Sequence, residues 1–104
     1  MKLFDVVIKE YLTIIDYLTE IEEIENNRII IDKEYFKKLL EKNQYMKFNQ
    51  KTKIYKDLNF LVHDKNNYTM PYKDPVQGKT VRKVIFNYNT YTTVKKLFET
   101  DINI

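Results

Sequence analysis

The chain contains no cysteine and no alanine, and it has only one glycine, two prolines and one histidine. The absence of cysteine excludes disulfides, thiol catalysis and cysteine-ligated zinc. A single glycine excludes the glycine-rich loops that bind nucleotide phosphates. The one histidine, His63, has no cluster of acidic residues at ligand spacing in its half of the chain. We therefore expect no metal site, no cofactor and no enzymatic activity.

Long apolar runs are also missing. No stretch approaches the roughly 20 apolar residues that a membrane span requires, and the N-terminus lacks the basic-then-apolar pattern of a signal peptide. We therefore expect a cytoplasmic protein with no membrane partner. The 104 residues, 43% of them apolar, are enough for one hydrophobic core, so a single domain over 1–104 is predicted.

Charge is distributed unevenly along the chain. Residues 1–25 contain two lysines and seven acidic residues, a net charge of −5, whereas residues 47–83 contain nine basic and three acidic residues, a net charge of +6. Lys, Ile, Asn and Tyr supply 47 of the 104 residues, a bias typical of AT-rich genomes. The total lysine content is therefore a weak argument for nucleic-acid binding. The placement of the lysines is a stronger one, because a basic segment is typical of nucleic-acid binding.

The N-terminal segment predicts a helix over 3–25. Apolar residues three or four apart form one stripe, and Ile8, Leu12 and Ile15 form a second. A helix with two apolar stripes needs two partners, for which we expect the domain core and a second copy of the chain. The polar side of this helix is acidic and would repel phosphate. A strand over 3–8 is the alternative local structure. The main stripe consists of Phe4, Val7, Tyr11, Ile14, Leu18 and Ile21.

A short strand and a second helix are predicted next. Arg28–Ile31 is a β-branched run that favours a strand, and the two asparagines before it break the first helix. Asp32 is typical of an N-cap, and the second helix should end near Asn43, a residue type that tolerates the left-handed conformation. Its buried stripe consists of Tyr35, Phe36, Leu39 and Leu40.

The third predicted helix runs over 50–62, with Asn49 as its cap. Ile54, Leu58 and Leu61 form its buried stripe, and the opposite side is rich in hydrogen-bond donors. Two helices joined by a few residues, the second with a narrow apolar stripe, are typical of a helix-turn-helix.

A β-hairpin is predicted after the third helix. Residues 68–72 and 80–88 alternate as strands do, and Pro71 indicates an edge strand. The loop between them contains Gly78, at a position that favours positive φ. Basic residues concentrate at the tip and not along both strands, which is typical of a wing. A surface hairpin whose lysines prevent edge pairing is the alternative.

The last helix is predicted over 90–100 with a cap at Asn89 and Thr90. Tyr91, Val94, Leu97 and Phe98 form its apolar face. Apolar terminal helices of small domains commonly pair across a two-fold axis, so we expect the helices at 3–25 and 90–100 to form a homodimer interface.

This order of elements and placement of charge, over about residues 3–100, resemble the winged helix-turn-helix family, an α+β fold. The resemblance implies double-stranded DNA as the partner, with a recognition helix over 50–63 in the major groove and a wing over 73–83 in the minor groove. More narrowly, the size and composition are similar to origin-of-transfer-binding relaxosome accessory proteins of Gram-positive conjugative plasmids. That similarity implies a role at a plasmid transfer origin or in mobile-element regulation, with other plasmid-transfer proteins as further partners.

The residues expected to contact DNA lie on the third helix and on the hairpin. Lysine binds phosphate, and the amides of Asn and Gln can read adenine edges. Arg82, helped by Lys79, is expected to enter a narrow minor groove. The full set is Lys47, Asn49, Gln50, Lys51, Thr52, Lys53, Lys56, Lys73, Lys79, Arg82 and Lys83. A homodimer would read two half-sites separated by about one helical turn or a multiple.

Three alternatives remain open from the sequence. A protein-interaction module, such as a phage or plasmid-encoded inhibitor of the same fold, would use the basic face to bind an acidic protein or a ribonucleoprotein. Single-stranded nucleic acid stacked on tyrosines is less favoured, because the strand tyrosines alternate inward. Acid–base chemistry at His63 and its neighbour Asp64 is the weakest, and we expect a structural role for His63 at the end of the third helix.

Overall fold

The computed structural model describes the backbone of residues 3–102 and the side chains of residues 3–99. Over this range the chain is an α+β domain of four helices and an antiparallel sheet, which confirms the predicted class and the predicted order of elements, with one strand added. The elements are α1 (Leu3–Ile21), β1 (Arg28–Ile31), α2 (Lys33–Glu41), α3 (Phe48–Asp57), β2 (Leu61–Val62), β3 (Met70–Lys73), β4 (Thr80–Asn87) and α4 (Tyr88–Ile102).

The strand β4 organises the sheet, because each of the other described strands pairs with it. Its second half pairs antiparallel with β1, from Val84 opposite Ile31 to Asn87 opposite Arg28, and with the short β2. Its first half pairs antiparallel with β3 to form a hairpin. Within residues 3–102, β3 pairs with β4 alone, so Pro71 lies on an edge strand as predicted.

The strand boundaries differ by small amounts from the predicted ones. The strand expected over 68–72 lies at Met70–Lys73, and the one expected over 80–88 ends at Asn87. The predicted alternation over 80–88 places Val84, Phe86 and Tyr88 inward. Val84 and Phe86 are fully buried, but Ile85 between them is buried as well, so β4 does not alternate there. Tyr88 is half-buried and begins α4. The unpredicted β2 is only two residues long. Periodicity cannot distinguish so short an apolar segment from the last turn of the preceding helix.

The helix α1 supplies a large part of the hydrophobic core. The second predicted stripe, Ile8, Leu12 and Ile15, is buried by elements of the same chain, so the expectation that it requires a second copy is wrong. The two ends of the main stripe depart from prediction as well, because Phe4 is 59% exposed and Ile21 is 51% exposed. The buried apolar residues of α1 are Val7, Ile8, Tyr11, Leu12, Ile14, Ile15 and Leu18.

The helix α1 ends at Ile21, four residues before the predicted boundary. A tight turn follows, in which Glu25 and Arg28 exchange backbone hydrogen bonds of 2.9 and 3.0 Å. Its central residues, Asn26 and Asn27, have φ values of 51° and 61°. Two successive left-handed residues are the geometry of a type I′ turn, which asparagine tolerates. The chain must leave the helix before this turn in order to enter β1.

The helix α4 begins at Tyr88, two residues before the predicted start. The cap is Asn87, whose side-chain Oδ1 accepts the backbone N–H groups of Asn89 at 3.1 Å and Thr90 at 3.3 Å. The predicted cap at Asn89 and Thr90 is therefore wrong. Asparagine and threonine are both preferred N-cap residues, and three of them lie within four positions, so the sequence is ambiguous about which one caps.

Asp16 joins α1 to α4. Its Oδ1 accepts a hydrogen bond from Lys95 Nζ at 2.9 Å and another from the hydroxyl of Tyr91. Partial burial alone would raise the pKa of Asp16, but the bonds from Tyr91 and Lys95 outweigh it and hold that pKa below the ordinary value. The contact is therefore strongest while this carboxylate is ionised.

Acid should weaken this contact between the two terminal helices. The pKa of Asp16 is lower in the folded chain than in the unfolded chain. Asp16 therefore adds to the free energy of unfolding above its ordinary pKa of 3.8, and this stabilisation is lost as the pH falls below that value. The variant Asp16→Asn should be less stable than wild type at neutral pH, and the difference should shrink in acid. Thermal unfolding measured from neutral pH into acid checks this. Asp5→Asn is the matched control, and its unfolding temperature should follow that of wild type at each pH. A difference that is constant with pH would contradict the assignment.

Candidate nucleic-acid interface

The helix α3 begins and ends earlier than predicted. Lys47, with an extended backbone, occupies the N-cap in place of Asn49, and its N–H donates to the Gln50 side chain at 3.3 Å. The helix ends at Asp57, because Asn59 adopts the left-handed conformation with φ of 59°. The predicted recognition helix over 50–63 is therefore wrong at its C-terminal end.

Two neighbouring predictions concern the ends of helices. His63 follows the strand β2 and not a helix, so its expected place at a helix C-terminus is wrong. The helix α2 ends at Glu41, and Lys42 at its C-cap has a right-handed φ of −62°. The predicted end of α2 near Asn43 is therefore confirmed, although Asn43 is not among the residues with positive φ.

The buried face of α3 is rotated from the predicted one. Ile54 and Leu58, which were predicted as the core stripe, are half-buried. Lys51, Thr52 and Tyr55 are buried instead, with Lys51 only 2% exposed. The predicted exposure of Lys51 and Thr52 is wrong, and neither side chain is available to a ligand that binds the surface.

Lys51 lies at the centre of a buried polar network. Its ammonium donates to Glu10 Oε2 at 2.7 Å, to the carbonyl of Leu40 at 2.7 Å and to the carbonyl of Asn43. These three acceptors use all three donors of the ammonium group. The two carbonyls belong to the end of α2 and the turn after it, where backbone acceptors lack helical partners. Lys51 therefore ties the α2–α3 turn to α1.

Glu10 is equally well satisfied. Its Oε1 accepts the hydroxyls of Tyr45 and Tyr55, both at 2.8 Å, and its Oε2 accepts Lys51. Burial and the charge of Glu10 raise the pKa of the Tyr55 hydroxyl well above its ordinary value, so this hydroxyl remains a donor. Through this network α1, the α2–α3 turn and α3 share one set of polar contacts, which fixes the orientation of α3.

The surface that α3 presents to solvent is basic and polar. Lys47, Asn49, Gln50 and Lys53 are exposed and Lys56 is half-buried. There is no acidic residue from position 47 to position 56. The structure thus brings five of the predicted contact residues together on α3 and its N-cap.

Lys53 has an acidic partner at the end of the same helix. Its Nζ donates to the Asp57 carboxylate at 3.1 Å. This is a surface pair, with side chains 74% and 60% exposed. Such pairs contribute about 0.3–0.5 kcal/mol. A phosphate can therefore replace Asp57 as the partner of Lys53 at little cost.

The loop of the β3–β4 hairpin has a fixed conformation. The backbone N–H of Asp74 donates to the carbonyl of Lys79, and that of Gly78 donates to the carbonyl of Asp74, both at 2.8 Å. The side-chain Oδ1 of Asp74 accepts the backbone N–H groups of Val76 at 2.8 Å and Gln77 at 3.2 Å. The predicted positive φ of Gly78 is confirmed at 68°. The tip is therefore held in one shape by four hydrogen bonds.

Of the four basic residues predicted for the hairpin, Lys73 and Lys79 flank this loop and are exposed. Lys83 is half-buried and its ammonium contacts the carboxylate of Asp32. Asp32 is the N-cap of α2 as predicted, but its side chain makes no capping bond and binds Lys83 instead. Lys83 thus links β4 to the start of α2.

Arg82 is also bound within the chain. Its guanidinium donates to the Asp64 carboxylate at 2.5 Å, to the carbonyl of Thr69 at 2.7 Å and to the Thr69 hydroxyl at 2.8 Å. Arg82 lies opposite Pro71, two residue pairs from the loop, and not at the tip. Three hydrogen bonds would have to break before Arg82 could enter a groove, so it braces the hairpin against the segment that precedes it.

Sequence reasoning missed two features that did leave a signal. Glu10 lies three residues after Val7 and four before Ile14, and Lys51 lies four before Tyr55, so each occupies core spacing on its helix. Opposite charges at core positions of two helices are a signal of a buried pair. Val76, the apolar residue inside the basic loop, is the other feature.

Within residues 3–102, no helix is both long and apolar enough to cross a membrane. In the same part of the chain, no group of three or more histidine or acidic side chains is placed to hold a metal ion. No protein-family model and no curated protein sequence matches this chain.

Proposed function

We propose that this chain is a winged helix-turn-helix protein that binds double-stranded DNA. The order and pairing of its elements support the proposal: α2, a short turn and α3 precede the β3–β4 hairpin, and β1 pairs with the far half of β4. In that family arrangement the second helix of the pair lies in the major groove. The helix α3 is the corresponding element here.

The exposed face of α3 is the main support for this proposal. Its first two turns present Asn49, Gln50 and Lys53, with Lys47 at the N-cap, and carry no acidic side chain. Amide side chains can form paired bonds with adenine, and lysine binds phosphates or guanine. The N-terminal end of a helix also favours anions through its free backbone N–H groups.

The buried network gives this face a defined position. Lys51 and Glu10 hold α3 and the turn against α1, so base-contacting side chains on α3 start from one orientation. A recognition helix that is fixed in this way loses little conformational entropy on binding. The proposed contact set after these structural corrections is Lys47, Asn49, Gln50, Lys53, Lys56, Lys73 and Lys79.

The proposal includes a homodimer through the terminal helices. Leu97 on α4 is 62% exposed, and Phe4 and Ile21 at the ends of α1 are more than half exposed. A two-fold pair would present two copies of α3 to half-sites about one helical turn apart or a multiple. The process that such binding serves, at a plasmid transfer origin or in mobile-element regulation, stays a prediction from the resemblance.

Dimerisation is tested separately from DNA binding. Sedimentation equilibrium of wild type should give a dimer mass, and Leu97→Lys should give a monomer because a charge replaces an apolar side chain in the interface. Thr92→Lys, which adds the same charge at an exposed position on a different face of α4, should leave the dimer intact. A wild-type monomer at the concentrations used in DNA titrations would remove this part of the proposal.

The proposed function is tested by fluorescence anisotropy with duplexes from DNA flanking the gene and with scrambled duplexes, over a salt series. Selective binding that weakens steeply with salt is expected, because each neutralised phosphate releases counterions. Equal and weak binding to every duplex would contradict the proposal. Salt-insensitive binding to a protein recovered by affinity purification would favour the interaction module instead.

A further inference from the structure

The tip of the β3–β4 hairpin carries an apolar side chain that the proposed phosphate contacts do not use. Val76 is 91% exposed, more than any other large apolar side chain that the structure describes. Pro75, the residue before it, is exposed as well. Pro75 has a structural role in the turn, whereas the side chain of Val76 is almost fully exposed and is therefore available to a ligand.

The exposure of Val76 follows from the loop's own hydrogen bonds. Asp74 Oδ1 accepts the N–H groups of Val76 and Gln77, and the left-handed Gly78 closes the loop. Pro75 restricts the backbone further, because its ring fixes φ. The apolar tip is held outward before any ligand arrives, which lowers the entropy cost of binding.

The charges around the tip select the kind of ligand. Lys73 and Lys79 are exposed on either side of the loop, and Asp74 is half-buried with one carboxylate oxygen engaged by backbone N–H groups. An apolar point between two cations fits a polyanion with an apolar interior. The minor groove of duplex DNA has this character, with phosphates on its rims and stacked bases and sugars within.

We propose that Pro75 and Val76 form an apolar wedge that enters the minor groove, while Lys73 and Lys79 bind the phosphates on its two rims. This inference rests on the proposed function and names the tip contact. Apolar side chains, proline among them, enter minor grooves at base steps and partly unstack them. The wedge takes the place predicted for Arg82, which is held at the base of the hairpin by Asp64 and Thr69.

The wedge predicts a preference at the bases that flank the site of α3. A guanine amino group projects from the floor of the minor groove, whereas an A·T pair has none there. Pyrimidine–purine steps such as TA open most easily. The tip should therefore favour A·T pairs with a TA step, and the DNA should bend where it enters.

Three variants separate the apolar contact from the charged ones. Val76→Thr keeps the branched shape but replaces a methyl group by a hydroxyl, so it should weaken duplex binding about tenfold through lost apolar burial and the cost of desolvating the hydroxyl. The slope of affinity against salt should not change. Val76→Leu is the matched control and should bind as tightly as wild type, whereas Lys79→Ala should reduce the salt slope by about one.

The DNA provides a second readout. Replacing the flanking adenines by 2,6-diaminopurine adds a minor-groove amino group and leaves the major-groove edge readable, so wild type should lose affinity and Val76→Thr should lose less. Equal affinities of Val76→Thr and wild type for a duplex that wild type binds selectively would overturn the wedge and leave the proposed function intact. A wild type that binds no duplex would overturn both.

Discussion

Replacing Lys51 by alanine is expected to lower the free energy of unfolding by about 3–5 kcal/mol, the usual cost of removing one partner from a buried ion pair. Glu10, which is only 5% exposed, would keep its two tyrosine donors but lose the positive charge beside it. The carbonyls of Leu40 and Asn43 would also lose their partner. Since small domains are stable by about 5–15 kcal/mol in total, this variant should unfold at much lower urea concentration.

A second variant keeps this prediction testable if Lys51→Ala does not fold. The double change Glu10→Gln with Lys51→Met removes both charges and keeps a side-chain carbonyl as the acceptor for the tyrosine hydroxyls, so it should be more stable than Lys51→Ala. Lys53→Ala is the matched control on the same helix, with an expected change below about 0.5 kcal/mol. Equal urea midpoints for Lys51→Ala and Lys53→Ala would contradict the structural role of Lys51.

Removing Lys47 at the N-cap of α3, the exposed Lys53 and the half-buried Lys56 should abolish most DNA affinity without unfolding the domain. In the triple variant Lys47→Ala, Lys53→Ala and Lys56→Ala, three phosphate contacts are lost. The negative slope of log affinity against log salt should therefore become less steep by about 2.7. At physiological salt this slope change corresponds to a loss of about 100-fold. Anisotropy titrations over a salt series measure both quantities.

The control for the triple variant is a lysine on another element. Lys9 is exposed on α1, and Lys9→Ala should leave both the affinity and the salt slope close to those of wild type. The unfolding midpoint of the triple variant should also be close to that of wild type, because none of the three side chains is fully buried. An unchanged slope in a folded triple variant would contradict the assignment of α3 as the phosphate-binding helix.

The parts of the fold that were predictable from the sequence are those in which one periodic signal dominates. The stripe of α1 alternates three and four residues apart, and the run at Arg28–Ile31 is rich in β-branched residues. The strand β1 therefore lies at the predicted residues, and α1 differs from its predicted bounds only at its C-terminal end. Gly78 predicted the turn of the hairpin, because glycine adopts positive φ readily. Pro71 predicted the edge strand, because proline has no N–H for a second partner strand.

The face of α3 was not predictable in the same way. Periodicity counts apolar residues, and the true buried face contains Lys51 and Thr52 beside Tyr55. A lysine is buried here only because Glu10, 41 residues earlier, supplies the opposite charge. A local pattern contains no information on that contact, so the predicted helix was rotated and extended past Asn59.

The same limit applies to the hairpin. Its basic residues suggested a tip rich in cations, but Asp64 and Asp32 bind Arg82 and Lys83 at its base. Such ion pairs join residues 18 and 51 positions apart along the chain. Net charge over a segment therefore overstated the number of cations available to a ligand, and Lys73 and Lys79 are the two hairpin cations that remain exposed at the loop.

Amide chemical-shift mapping by NMR tests the central claim most directly, with ¹⁵N-labelled wild type and a duplex that anisotropy has selected. We expect the largest shifts at Lys47 to Lys56 of α3 and at residues 73–79 of the hairpin loop. The exposed acidic residues of α1, such as Asp5 and Glu20, should not shift. Shifts confined to α1 and α4, or no shifts at a saturating concentration of duplex, would contradict the account.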